Sequence, residues 1–323
     1  MKHYYFRGTP PNFGDELNAT MWTTLLPDGL LDGDESEIFL GIGSILQHDF
    51  PTKARKVVMG SGFGGYTKKP DVHDGTWDVR FVRGPQTAED LGLSPDLAIT
   101  DAAVLLRATD LPAPADGIGV AFMPHYESVE RGNWRRVCEV AGIHYLDPTQ
   151  DPALTLAEIR GADLVIAEAM HGAIVSDVLR TPWIGVKTMH HVHRYKWWDW
   201  ARSLQIDYAP EVLLPSNARE AWAFWTGRWG SGARARAVLE GAMAAPVNWG
   251  LVHASARSMR KLARSKPSLS ADAQIEAATD QALTAVDRFV RDYAGPSQSV
   301  AVLIAEARRG RRRWSRTLGR NGG

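Results

Sequence analysis

Two open α/β layers in tandem, facing a shared cleft and followed by a helical tail, are the architecture this chain predicts. Three observations carry that expectation. Short apolar runs alternate with helix-length amphipathic segments, as in parallel strands joined by crossover helices. The alternation pauses at a Pro/Gly joint, Leu111 to Gly117, and then restarts. After Asn217 strand signals vanish and Ala-rich segments with helical spacing take over. With 323 residues the chain suits two domains of about 150 residues each. The boundaries are expected at 1–115, 116–215 and 216–323.

In the first layer strands are expected at Lys2 to Phe6, Ile38 to Gly41, Lys56 to Met59, Val79 to Val82 and Ala98 to Ile99. Each is a short apolar run bounded by turn residues. Helices are expected at Asp15 to Leu25 and Gln86 to Leu91, each after a Pro- or Gly-containing turn. In the second layer the strands are Ile118 to Met123, Ile143 to Leu146, Leu164 to Ala167 and Trp183 to Val186. The helices between them are Trp134 to Ala141, Leu154 to Arg160 and Gly172 to Leu179. The tail predicts helices over Ala271 to Tyr293 and Ser299 to Arg309.

Apolar residues make up 44% and charged residues 23%, the mix of a chain that folds. The 37 Lys plus Arg balance 37 Asp plus Glu, so no global field draws the molecule onto nucleic acid, and none is expected as a partner. Cys138 is the single cysteine and cannot form an intramolecular disulfide. Met1 to Arg7 lack the apolar run of a signal peptide, and charges, Pro or Gly interrupt every hydrophobic segment. The cytoplasm is the expected compartment. Trp occurs 12 times, including Trp183, Trp197, Trp198, Trp200 and Trp222 in one region. Such rings suit sugar faces and packed cores alike.

Open parallel sheets bind ligands beyond the carboxyl ends of their strands, so the loops after the strands are the candidate sites. Gly60, Gly62 and Gly65 match a dinucleotide fingerprint, but no helix follows and the next strand ends in Arg83 rather than a ribose-binding acid. A tight strand-end loop is the favoured reading, with Gly62 allowing a ligand to approach. Asn12 and Asp15 stand where the first helix begins, as caps or as ligand contacts. Arg83 ends an apolar strand, its planar fork placed for carboxylate or phosphate. His125 and Glu168 follow two strands of the second layer. His171 opens the small-residue helix that starts Gly172-Ala173-Ile174-Val175, an imidazole placed for proton transfer. His190, His191 and His193 cluster with Lys187, Arg194 and Lys196; the cations favour an anionic ligand over a metal, and no metal site is expected. Seven arginines, Arg308, Arg309, Arg311, Arg312, Arg313, Arg316 and Arg320, end the chain without an acid after Glu306. They predict contact with an anionic membrane surface, or a solvated end.

These loops resemble the polysaccharide pyruvyltransferase family, most closely its exopolysaccharide ketal-forming members. The resemblance runs through Pro11-Asn12-Phe13-Gly14-Asp15-Glu16-Leu17-Asn18, Gly60-Ser61-Gly62, Val82-Arg83-Gly84-Pro85-Gln86-Thr87-Ala88, Ile99-Thr100-Asp101, Phe122-Met123-Pro124-His125 and Glu168-Ala169-Met170-His171-Gly172-Ala173-Ile174. It implies a GT-B-like pair of Rossmann-like domains. It also implies phosphoenolpyruvate as co-substrate with no further cofactor, a sugar of a lipid-linked exopolysaccharide repeat unit as acceptor, and a pyruvate ketal as product. With the Arg-rich end, a peripheral place on the inner face of the plasma membrane is the expectation beside the cytoplasm.

His171 is similar in position to the family histidine and Arg83 to the first-domain arginine. The family motif is usually Arg-Leu-His; here Ala169 and Met170 precede His171, so Lys187 or Arg194 is expected to supply the missing charge. His171 would act as acid or base, and Glu168 or His125 would orient it or deprotonate a sugar hydroxyl. Gly62 and Gly172 would border the donor. A nucleotide-sugar glycosyltransferase and a non-catalytic oligosaccharide-binding protein share the required cleft and clamps. The group that appears in the product separates the three.

Overall fold

The computed structural model describes residues 1–187, 193–227, 232–295, 298 and 300. β1 (Lys2–Tyr4), β2 (Glu37–Leu40), β3 (Arg55–Met59) and β4 (Trp77–Phe81) form a parallel sheet in sequential order. Phe39, Val57, Val58, Met59 and Phe81 are fully buried in it. Continuous apolar strands of this kind are required when both faces of a sheet are covered. α1 (Phe13–Leu25) connects β1 to β2, and α2 (Pro85–Asp90) follows β4. The strand expected at Ala98 to Ile99 is a single parallel bridge between Val82 and Ala98. It is squeezed between two 3₁₀ segments, Pro95–Leu97 and Ala102–Ala108, the second capped by the Asp101 carboxylate.

The second sheet is built from β5 (Val120–Met123), β6 (His144–Tyr145), β7 (Leu164–Ala167) and β8 (Trp183–Gly185). The helices along it are α3 (Tyr126–Arg131), α4 (Trp134–Ala141), α5 (Pro152–Gly161), α6 (Met170–Val178) and α7 (His193–Ser203). Sequence punctuation explains their ends. Asp151 accepts hydrogen bonds from the Ala153 and Leu154 N–H groups ahead of α5, and Gly142 closes α4 at φ 67°. The strand order is β6-β5-β7-β8, all parallel. The chain therefore leaves β5 to one side and returns to the other, which opens a crevice at the carboxyl ends of β5 and β7.

The remaining described helices are α8 (Ala218–Thr226), α9 (Ala233–Leu239), α10 (Ala245–Leu262) and α11 (Asp272–Ala294), with a 3₁₀ turn at Ala242–Ala244. α10 buries Val252, Ala256, Met259 and Leu262 and packs on α4. α11 buries Ile275, Ala278, Ala282, Leu283, Val286, Phe289 and Val290, a helical stripe laid on β4 and the Ala102–Ala108 segment. One apolar cluster runs from Phe13, Leu17 and Trp22 through Phe39 and Leu105 to Val165, Ile174 and Phe289. It joins both sheets and α11.

Trp183, Trp197 and Trp200 are buried against one another, whereas Trp198 and Trp222 are nearly half exposed. Cys138 is buried and burial pushes its thiol up to about 12, so it is chemically quiet. His190, His191 and the terminal arginines lie outside the described residues, as does the side chain of His193. No described helix is long and apolar enough to cross a membrane.

Candidate active site

A cavity of about 470 Å³ opens where the strand ends of the two sheets meet. Asn12 and Asp15 reach it from the start of α1, Ser44 and Gln47 from the loop after β2, and Tyr66 from the loop after β3. The second sheet contributes His125, Tyr126 and Glu127 after β5, Met170 and His171 after β7, and Lys196 from α7. His125 and His171 thus sit at the two strands that flank the switch in strand order. The volume is that of a small-molecule site.

His171 stands in the first turn of α6, its ring against Gly14. A β-carbon at Gly14 would fall 2.0 Å from Nδ1, so glycine is required for the imidazole to dock on α1. Nε2 lies 3.8 Å from Asp101 Oδ2, and both of these buried atoms lack a hydrogen-bond partner. At that separation the carboxylate is an electrostatic neighbour of the imidazole rather than its hydrogen-bond partner. Asp101 belongs to the Ile99-Thr100-Asp101 motif, but its pairing with a residue 70 positions later leaves no local signal.

Asn12 occupies the N-cap position of α1 without capping it; its amide donates to Asp15 Oδ2 at 2.5 Å. Burial raises the Asp15 carboxyl above its usual range, with His171 and Lys196 opposing that shift. Burial, reinforced by Arg83, pulls the Lys196 ammonium down to about 8. Among the described residues Lys196 makes no hydrogen bond or ion pair, so its charge is available to a ligand. The His125 ring is pushed down by burial, and its Nδ1 lies 3.3 Å from Glu127 Oε2.

Arg83 lies one layer behind the wall, only 1% exposed. Its Nε donates to Asp199 Oδ2 at 3.2 Å, one terminal nitrogen to Ser44 Oγ at 2.6 Å and the other to the Phe63 carbonyl at 2.9 Å. Ser44 relays it to the cavity. Gly62 is the room this guanidinium needs, since a β-carbon there would fall 2.2 Å from its central carbon. Glu168 is also buried beneath the wall, accepting from the His125 N–H at 2.8 Å and Ser128 Oγ at 3.0 Å. Burial and the neighbouring Glu220 raise it to about 7. Gly172 packs against Met123, where a β-carbon would meet the sulfur at 2.8 Å. Lys187 is exposed and borders a separate pocket of about 30 Å³ with Glu168 and Glu220; Arg194 does not line the main cavity.

The expected Asn12, Asp15, His125 and His171 therefore share one cavity, with Arg83 and Glu168 supporting its wall. Lys196, Ser44, Tyr66, Tyr126 and Glu127 complete it. Among the described residues no group of three or more His, Cys, Asp or Glu side chains has the arrangement of a metal site. The cavity combines one imidazole backed by a carboxylate, a second imidazole beside a carboxylate, a buried carboxyl and an ammonium unpaired among the described residues. That set can transfer protons and hold a small anion.

The chain is 34% identical over 328 aligned residues to succinoglycan biosynthesis protein ExoV of Rhizobium meliloti (strain 1021), covering 91% of this chain and 100% of that relative. The family model for polysaccharide pyruvyl transferase matches residues 12–190, a span that runs from Asn12 past β8 and holds the cavity's polar groups except Tyr4 and Lys196. The chain belongs to the polysaccharide pyruvyl transferase family, and it is an enzyme of pyruvyl transfer.

Proposed function

We propose that the enzyme moves the pyruvyl unit of phosphoenolpyruvate onto two hydroxyls of one sugar in an exopolysaccharide repeat unit, forming a cyclic ketal. The observation that carries this reading is the gathering of Asp15 from the start of α1, His171 from the start of α6 and Lys196 from α7 into one cavity. On this reading the two sheets act as the lobes of a GT-B-like cleft, and the acceptor is a lipid-linked oligosaccharide met at the cytoplasmic membrane face. The arginines after Glu306 would add charge toward that face.

The reaction places one proton on the methylene carbon of the donor, leaving an electron-poor centre at carbon 2. The first sugar hydroxyl bonds to that carbon and gives up its proton. The bond from carbon 2 to the phosphate oxygen then breaks, phosphate leaving with the electron pair, and the second hydroxyl closes the ring as its proton departs. Of the two hydroxyl protons, one replaces that given to the methyl group and one leaves with phosphate. No oxidant or reductant is needed.

His171, backed by Asp101, exchanges these protons with the donor or the acceptor, and the Asp15 carboxyl, raised by burial, is a second proton-transfer group at the same wall. Lys196 and the Ser44 hydroxyl, polarised by Arg83, grip the anionic groups of the donor. Lys196 thereby takes the place expected for Lys187 or Arg194. His125, held by Glu168 through its backbone and beside Glu127, faces the acceptor. Tyr66 and Tyr126 provide ring faces for the sugar.

The test is to incubate the enzyme with carbon-labelled phosphoenolpyruvate and lipid-linked or free oligosaccharides. Phosphate release with label in an acid-labile ketal is expected, and His171→Ala should lower the rate by about 10²–10⁴-fold while the fold is retained. Transfer of hexose from a nucleotide-sugar in place of labelled pyruvate would overturn the reading. Near-normal turnover in His171→Ala would remove the imidazole from the chemistry.

A further inference from the structure

We propose that the helical cluster α8, α9 and α10 is a docking surface for an anionic lipid bilayer. These helices and the 3₁₀ turn between them pack on one another. They expose large apolar side chains that the core does not use: Met243 is 95% exposed, Trp225 82%, Val238 70% and Trp249 67%. Phe224 and Val247 are more than half exposed beside them. A soluble surface rarely groups so many apolar residues without a partner.

Charge identifies that partner. Residues 218–270 hold nine Lys or Arg (219, 228, 234, 236, 257, 260, 261, 264 and 266) and two acids (220 and 240), in a chain whose total is +0. Both acids are engaged: Glu220 is buried, and Glu240 pairs with Arg219 at 2.9 Å. Arg257, Lys261, Arg264 and Lys266 are exposed. Tryptophan at the headgroup level with basic side chains reaching lipid phosphates supplies the two signals that stable peripheral binding needs. A second copy of the chain fits poorly, because a two-fold interface would set this basic segment against itself.

The surface also adjoins the active-site wall. Glu220 on α8 accepts from the Trp134 indole at 2.8 Å, and Phe224 borders the small pocket shared by Glu168 and Lys187. A bilayer held here lies beside the structure that positions His125. The inference draws on the proposed function only for a reason to meet lipid; binding itself is independent of it.

The experiment is sedimentation of the purified full chain with phosphatidylglycerol–phosphatidylcholine vesicles and with phosphatidylcholine alone, in the absence of substrate. Binding to the anionic vesicles, weakened by salt, is expected. Trp225→Glu combined with Met243→Glu should reduce partitioning by about 10-fold or more, and Arg257→Gln, Lys261→Gln and Arg264→Gln together by about 100-fold. Both variants should keep wild-type circular dichroism and transfer to a water-soluble acceptor. The proposal is overturned if the wild type ignores anionic vesicles, or if both variants bind as the wild type does. It is also overturned if deletion of Arg308 to Gly323 alone abolishes binding, or if Trp225→Glu breaks a dimer and leaves vesicle binding intact. Failure of pyruvyl transfer would leave every one of these sedimentation results readable.

Discussion

An ammonium surrounded by carboxyl, imidazole and phenol groups, with its own value lowered to about 8, changes charge within the working range of an enzyme. Lys196 is charged below that point and neutral above it. A donor held by Lys196 should therefore bind well at pH 7 and progressively less well as pH rises past about 8. Lys196→Met should raise the donor KM by about 10-fold or more at pH 7, as for loss of a charge-assisted contact, and erase this alkaline rise. Lys196→Arg should keep donor binding flat to higher pH. Steady-state kinetics across pH 6 to 10 check this, and an unchanged donor KM in Lys196→Met would take Lys196 out of the site. His171, Asp15 and Asn12 were legible in the sequence because each stands at the start of the helix that comes after a strand, and chain position there fixes spatial position. Lys196 was less so: it enters from within a helix, while Lys187, nearer the strand end, turns to another pocket. The family motifs gave Arg83 its place but not its partners, since Asp199 is 116 residues away and Ser44 is 39.

At the scale of elements, α7 is the piece that locks the cavity. Lys196 and Asp199 stand three residues apart on it, and therefore on one helical face. Lys196 serves the cavity, while Asp199 accepts from the Gln86 and Thr87 N–H groups at 2.9 and 3.0 Å, from Thr87 Oγ at 2.6 Å and from Arg83. A carboxylate of the second half thus caps α2 of the first, where the sequence shows only Gly84-Pro85. Gly84 itself is required, because a β-carbon would fall 2.1 Å from the Asp199 carbonyl oxygen. The strands and crossover helices were legible as periodic apolar runs, but this cap was not, since no local pattern announces an acceptor supplied from so far along the chain. Removing one partner of a buried ion pair leaves the other uncompensated, which costs about 3–5 kcal/mol. Asp199→Ala should destabilise the enzyme by that amount in urea unfolding, and Arg83→Met with Asp199→Leu should recover part of the loss. A change below about 1 kcal/mol would show that Arg83 finds its anchorage elsewhere.

At the scale of the whole molecule, the apolar cluster that joins both sheets to α11 makes protonation inside the wall a determinant of global unfolding. Glu168 is the clearest such group, fully desolvated and raised from 4.5 to about 7. Between those values the native state holds more protons at this site than the unfolded chain, so its contribution to stability falls as pH rises from about 4.5 to 7. Asp15 and Glu220 are raised by burial in the same sense. His3, lowered to about 4, and His125 act in the opposite sense, because their burial keeps protons off the native state that the unfolded chain would bind. The two sets overlap in pH, and the wild-type melting temperature alone does not separate them. A difference profile does. Glu168→Gln keeps an acceptor for the His125 N–H and removes the titration, so its stability relative to wild type should climb between pH 4.5 and 7 and level off above. The whole climb is at most about 3 kcal/mol. Paired thermal denaturations at half-unit pH steps measure it; a flat difference would mean that Glu168 stays ionised throughout and that its two hydrogen bonds, with Arg131 nearby, outweigh desolvation and the charge on Glu220.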